Sequence, residues 1–393
     1  MAAQVVEMTL VDGTGEVRTF GPEHSPDKLP AVRVGLGAMG IITEVTLRVV
    51  PLHRTFAHEF LIRDDVFLAK LPEYLLFSGH SSKAWRVPHT KHTLIMSQVD
   101  IAADGSTLQD VPHGQPLPQL RLAAQGANFT QNYRTVPEAV TEFFAYVSEA
   151  VAFVTALFPP VRVFTSPVIS QVMFALPKTR IARSDLAQIV PFRVPRHTEM
   201  EYAVPGVECA DTLAELSAWM EQEGIFSDFV HEVRMSRRDG DWLSMGYHPE
   251  HDAALLAAVG GADIHHKVDP FSLYSSFLSP KEREQCSPAA MQAAGARGTA
   301  SLQRRSMLCN TVCHTTIGLG FGRPEHLQKY FAGFEAIALR HGGRPHWAKR
   351  FFADAAALSK AYPRLAAWRE VRKQMDPHNV FVNDFVAHVA GLK

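Results

Sequence analysis

Val34-Gly35-Leu36-Gly37-Ala38-Met39-Gly40-Ile41-Ile42-Thr43-Glu44-Val45-Thr46-Leu47-Arg48-Val49-Val50 is the stretch on which the fold turns. Its glycines let the backbone pass close to a flat or charged group, yet a β-prone run follows them where a dinucleotide-binding fingerprint requires a helix. A Rossmann unit is therefore excluded. The run from Gly40 to Val50 alternates from Thr43 onward and is closed by Pro51, as a strand is. Ahead of it, residues 5–11 and 16–20 read as two strands joined at Asp12-Gly13-Thr14-Gly15, whose Asp-Gly step is a hairpin signal. The N-terminus is thus a sheet fragment, with the glycines as a bend between strands.

The chain has 393 residues, enough for two or three domains at roughly 150 residues each. Lys and Arg number 39 against 40 Asp and Glu, a formal charge of −1, so nucleic-acid or polyanion binding by bulk electrostatics is excluded. Residues 1–10 lack a basic segment followed by an apolar core, so no secretory leader is read and an intracellular protein is expected. The longest apolar stretch, 150–164, is cut by Pro159-Pro160 and carries Arg162, well short of the roughly 20 residues of a membrane span. Peripheral membrane contact stays open. The four cysteines, Cys209, Cys286, Cys309 and Cys313, are too few for a disulfide framework and read as free thiols.

Periodicity and punctuation predict helices over 136–158, 210–223, 324–340, 352–359 and 365–375. Strands are expected at 162–168, 200–204, 229–236, 242–247 and 313–320. Residues 249–308 are rich in Ala, Ser, Gly and Gln without strand alternation, and read as a poorly ordered insertion.

Three places can carry chemistry. On the strand Val230-His231-Glu232-Val233-Arg234-Met235-Ser236, Glu232 and Arg234 point to one face. If that face is solvated the pair contributes about 0 to 1 kcal/mol and means nothing functionally; if it lines a cavity, the pair can grip hydroxyl groups. His314 and Thr316 share a face on Cys313-His314-Thr315-Thr316-Ile317 in the same way. Gly342-Gly343-Arg344-Pro345-His346-Trp347-Ala348-Lys349 puts a turn, two cations, an imidazole and an indole into eight residues, and alone it reads first as a surface turn with a solvated Lys and a buried Trp. The spacing Cys309-x-x-x-Cys313-His314 is one residue too long for haem attachment, and no second cysteine pair completes a zinc site, so no metal is expected.

Together with Trp85-Arg86-Val87-Pro88-His89-Thr90, Met200-Glu201-Tyr202-Ala203-Val204-Pro205 and Asp376 through Val382-Asn383-Asp384-Phe385, these motifs stand in the order seen in sugar-1,4-lactone oxidases. The chain resembles that family, D-arabinono-1,4-lactone and L-gulonolactone oxidases of the vanillyl-alcohol-oxidase flavoprotein superfamily, over nearly its whole length except about 250–308. The resemblance implies an α+β fold: the C-terminal remnant of a PCMH-type FAD-binding domain, plus a cap domain of antiparallel sheet flanked by helices. Residues 1–51 would be the last part of the FAD domain, 52–248 and 309–375 the cap, 249–308 the insertion, and 376–393 a segment returning to the FAD domain. It implies FAD as cofactor, a small sugar lactone and O2 as partners, hydride transfer from substrate C2 to flavin N5, release of H2O2, and a place in ascorbate-type biosynthesis. By motif match, Glu232, Arg234, His314, Thr316 and Lys349 would be catalytic, and Gly37, Gly40, Ile41, Ile42 and Asn383 would hold the cofactor. Members carry a long N-terminal part, including the loop that cradles the FAD pyrophosphate, ahead of the position matching Met1. A truncated chain is therefore expected, and a non-catalytic fragment or an alditol oxidase are the alternatives. Some relatives are associated with mitochondrial or other organelle membranes.

Overall fold

The computed structural model describes residues 2–76, 81–101, 178–183, 197–227, 229–252, 280–320 and 323–392, with isolated positions between 146 and 161. The helix expected over 136–158 and the strand expected over 162–168 lie outside the described residues, apart from those isolated positions.

Two sheets are present among these residues. The N-terminal one has the order β2-β1-β3, with β1 Val5–Val11, β2 Val17–Phe20 and β3 Ile41–Leu47, all antiparallel. A short helix, α1 (Leu29–Arg33), packs on β1. Gly40 closes the glycine bend at φ +152°, where a side chain would collide with the Val11 carbonyl and Leu10. β3 is an edge strand, and Ile41, Ile42, Val45 and Leu47 are exposed on it.

The second sheet has eight antiparallel strands in the order β11-β8-β10-β9-β5-β6-β4-β7. They are β4 Arg54–Arg63, β5 Ser81–Arg86, β6 His92–Ile101, β7 Lys178–Arg183, β8 Thr198–Pro205, β9 His231–Arg237, β10 Thr311–Leu319 and the two-residue β11 Arg344–Pro345. Strand alternation divides its faces. Met200, Tyr202 and Val204 of β8, Val233 of β9, Cys313 and Ile317 of β10, and Ala84 of β5 enter one core. That core is closed by α2 (Asp64–Ala69), α3 (Leu71–Leu75), α4 (Cys209–Gln222) and, after helices described below, α8 (Pro324–Arg340). In α8, Pro324 stands in the first turn, and Tyr330, Phe331, Phe334, Ile337 and Ala338 recur at helical spacing on the buried side. Arg86 fastens the layers: it grips Asp64 through two bonds of 2.8 and 2.6 Å and reaches the Leu213 carbonyl at 3.0 Å and Ser217 at 2.9 Å.

Several expectations are corrected. Of the expected insertion 249–308, residues 253–279 lie outside the described residues, and from 280 it forms α5 (Pro280–Gln285), α6 (Pro288–Ala296) and α7 (Thr299–Cys309), Ser287 capping α6. Their Ala-rich composition suits helix formation, and Glu282 is buried against Arg238. The cysteines are not free but paired, Cys209 with Cys313 and Cys286 with Cys309. Their sequence separations of 104 and 23 give no local signal of pairing. Residues 242–247 are turns rather than a strand. Trp242, Leu243 and Tyr247 join the core of the three-stranded sheet, as do α9 (Ala355–Ala361), α10 (Leu365–Met375) and α11 (Asp384–Ala390) through Leu358, Trp368, Val371 and Val389. Side chains from Trp347 and Phe351 onward, ahead of 376, already pack on this core.

Gly333 of α8 lies against the indole of Trp219 on α4, and a methyl group there would overlap the ring. Gly333→Ala is expected to destabilise the protein by about 1 to 3 kcal/mol, read as a lower urea midpoint at unchanged slope. An unchanged midpoint would mean that this helix contact is loose.

Candidate active site

The other face of the large sheet carries charge. Cross-strand register sets Glu201, Thr316, Glu232 and Trp85 side by side on β8, β10, β9 and β5, with Ala203, His314, Arg234 and Lys83 as the adjoining row. Four of the five residues expected to be catalytic are thereby brought onto neighbouring strands. The fifth, Lys349, arrives through the octapeptide 342–349. Gly342 turns the chain at φ +73°, Arg344 and Pro345 pair with Ala203 and Tyr202, and the His346 amide donates to the Glu201 carbonyl at 2.9 Å. Lys349 then ion-pairs with Glu199, which also bonds His197 at 2.7 Å. Trp347 packs instead, stacked on Tyr362 at 4.7 Å with its ring N–H on the Leu243 carbonyl at 2.7 Å.

At the centre is Glu201, whose side chain is 2% exposed. Its Oε1 accepts from Arg234 at 2.8 Å and from His314 Nδ1 at 3.1 Å. Burial alone raises its carboxyl, but the hydrogen bond from His314 and the charge of Arg234 overcome that and hold it at about 2. Glu199 is likewise held at about 2, first by the His197 hydrogen bond and, against burial, by Lys349. Glu232 receives the Trp85 ring N–H at 2.9 Å and Lys83 Nζ at 3.2 Å, and Arg234 stands 3.8 Å from its other oxygen. On the far side of His314, Nε2 lies 2.8 Å from Ser236 Oγ. Arg234 remains 45% exposed, so the face is open to a ligand.

Glu199, Glu201, Lys83, Trp85 and Ser236 were missed as site residues in the sequence. A signal existed for each: Glu199-x-Glu201 and Lys83-x-Trp85 are two-residue spacings on strands, and Ser236 stands two residues beyond Arg234, but only the cross-strand register shows that they share the face of Glu232 and Arg234.

The structure places Ile41 and Ile42 at the start of β3, Gly37 and Gly40 in the bend that leads into it, and Asn383 at the N-cap of α11, none of them on the strands of the charged rows. Gly40 is committed to packing on β1, and the Asn383 side chain caps α11 by accepting from the Val386 amide at 2.9 Å. Gly37 has open space where a side chain would stand, and Ile41 and Ile42 are 63% and 53% exposed. That open, apolar bend fits a flat ring system.

A family model described as D-arabinono-1,4-lactone oxidase matches residues 45–389. The chain belongs to the D-arabinono-1,4-lactone oxidase family. It is 23% identical to an L-gulono-1,4-lactone dehydrogenase of Mycobacterium tuberculosis over 397 aligned residues, spanning 100% of this chain and 69% of that protein. It is 22% identical to the L-gulonolactone oxidase of Mus musculus, over 99% of this chain and 69% of the relative. Among solved structures, a solvent-stable cholesterol oxidase aligns at TM-score 0.60 and 14% identity, covering 99% of this chain and 70% of that one. The cholesterol oxidase of B. sterolicum aligns at 0.57. These likenesses agree with the α+β, PCMH-type architecture with an antiparallel cap sheet. Members of this family are FAD flavoproteins that oxidise aldonolactones.

The buried carboxylates make the fold acid-sensitive in a defined sense. A folded-state value near 2 against an ordinary 4.5 means Glu201 contributes stability that is fully present above pH 4.5 and is lost as pH falls through about 2. That contribution is on the order of 3 kcal/mol. Between about pH 6 and about pH 3 the unfolding free energy should fall more steeply in the wild type than in Glu201→Gln, and equal slopes would show that Glu201 carries no such charge linkage.

Proposed function

We propose that the charged face oxidises the C2 hydroxyl of an aldono-1,4-lactone of the D-arabinono type, giving the enediol skeleton of ascorbate-like products. The observation that carries this reading is the convergence of Glu201, Glu232, Arg234, His314 and Lys349 on one open sheet face. FAD, when bound, supplies the hydride acceptor at flavin N5 and passes the electrons to O2 to give H2O2. Gly37, Ile41 and Ile42 are the residues whose open surface suits its ring.

The residues of this chain bind and orient. Three cations, Lys83, Arg234 and Lys349, are matched by three carboxylates, Glu232, Glu201 and Glu199. Such a face has alternating charge and no net charge, which suits a neutral, polyhydroxylated ring rather than an anion. Glu232 and the Thr316 hydroxyl, side by side on β9 and β10, are the acceptors that can align substrate hydroxyls. Arg234 stabilises negative charge that develops on the reacting oxygen, and its ion pair with Glu201 fixes where its remaining N–H groups point. Lys349 offers a second cation at the octapeptide end of the same face.

With the FAD-loaded protein, D-arabinono- and L-gulono-1,4-lactone are expected to bleach the flavin anaerobically and yield peroxide in air. Arg234→Met should lower kcat/KM by about 10²- to 10³-fold and Lys349→Met by about 10²-fold. A loaded protein that bleaches with no lactone, or turns over only polyols, would overturn the proposal.

A further inference from the structure

Ser236, His314 and Glu201 stand in line across three adjacent strands, β9, β10 and β8. Ser236 Oγ is 2.8 Å from His314 Nε2, and His314 Nδ1 is 3.1 Å from Glu201 Oε1. The direction of these bonds follows from Glu201. Its carboxylate is ionised at neutral pH and can only accept, so His314 donates through Nδ1–H. In the neutral ring Nε2 is then a lone-pair acceptor, and the Ser236 hydroxyl must be the donor. A hydroxyl bonded to an imidazole nitrogen, whose other nitrogen is oriented by a buried carboxylate, is the arrangement of an activated serine nucleophile. Ser236 is exposed while Glu201 is buried, as attack on an outside carbonyl requires.

We propose that Ser236, His314 and Glu201 form a nucleophile, base and orienting carboxylate that hydrolyse carboxylic esters, cyclic esters included, without a cofactor. That the natural ester is a sugar lactone rests on the function proposed above; the hydrolytic chemistry does not. Ser236 Oγ attacks the carbonyl carbon while its proton passes to His314 Nε2, and the carbonyl π pair moves onto oxygen. Arg234, directly across from His314 and 45% exposed, is the cation on that face for the oxyanion. As the carbonyl reforms, the ring C–O bond breaks and the leaving oxygen takes the proton from His314. Water, giving its proton to His314, attacks the acyl-serine ester, and Ser236 Oγ leaves with that proton. The sum is lactone plus water to open-chain hydroxy acid, with no electron gained or lost. One face thus offers a lactone two fates, oxidation at C2 or ring opening at C1.

The test uses the full chain without added FAD, so its result is independent of the oxidase reading. The protein is treated with a fluorophosphonate and its peptides are mapped by mass spectrometry. Lactone opening is followed by pH-stat near neutrality against the spontaneous rate, with p-nitrophenyl acetate as a second ester. Phosphonylation of Ser236 is expected, with ester hydrolysis falling about 10²-fold or more in Ser236→Ala and in Glu201→Gln. Ser236 is exposed, so Ser236→Ala should keep the wild-type melting temperature. A Ser236→Cys variant guards against misfolding, since its thiol beside His314 should be alkylated by iodoacetamide at neutral pH faster in the folded protein than in urea. No adduct on Ser236, hydrolysis by Ser236→Ala at the wild-type rate, or an introduced thiol no more reactive folded than unfolded would each overturn the proposal and leave the hydroxyl only fixing the His314 tautomer.

Discussion

The two-residue period of β8 is the constraint on which the rest depends. Met200, Tyr202 and Val204 enter the core beneath α8, where the Tyr202 hydroxyl bonds the buried Glu335 at 2.5 Å, so Glu199 and Glu201 must emerge on the opposite face. A slip of one residue would drive two carboxylates into an apolar core and expel an aromatic ring. The same strand is flanked by β10 and β11, so a single register fixes His314 on one side and the octapeptide leading to Lys349 on the other. The charged face is therefore a consequence of how the core is filled.

Electrostatics then determines what that face can be. A buried carboxylate without partners would neutralise itself by taking up a proton. Glu201 instead stays ionised because Arg234 and His314 both bond it, and in return it fixes the direction of one guanidinium and the tautomer of one imidazole. Lys349 in turn is held by its ion pair with Glu199. On the function proposed above, substrate hydroxyls would meet a surface of oriented donors and acceptors already paired with one another, which lowers the reorganisation that binding requires.

Much of this was legible in the sequence, and the failures share a cause. Helices 324–340 and 365–375 were readable to the residue because a proline start and a helical apolar stripe are local signals. So were β1 and the pairing of Glu232 with Arg234 on one face, since strand alternation is local too. Glu201 was visible within its motif but not as a hub, because its importance lies in partners 33 and 113 residues away. The turns at 242–247 were mistaken for a strand because Trp242, Leu243 and Tyr247 are apolar for a tertiary reason: they fill the core of the three-stranded sheet. The cysteine pairs depend in the same way on contacts distant in sequence.

The segment 280–309 anchors the charged face in a way composition alone conceals. Arg238 follows β9 directly and reaches both the Cys309 carbonyl at 2.8 Å and Glu282, so the strand that carries Glu232, Arg234 and Ser236 is anchored at its end by the helices of 280–309. Arg344, at the start of β11, donates to the carbonyls of Tyr247 at 2.6 Å and Ala361 at 2.8 Å, which belong to the region packed on the N-terminal sheet. Met245 from the same turn packs on Ala203 and Val312 of the charged face. Two buried guanidiniums, each bonded to backbone carbonyls, thus tie the charged face to both neighbouring layers. Among the strands that bear the face, β9 and β11 are thereby anchored at one end, while Arg234 on β9 stays exposed to a ligand.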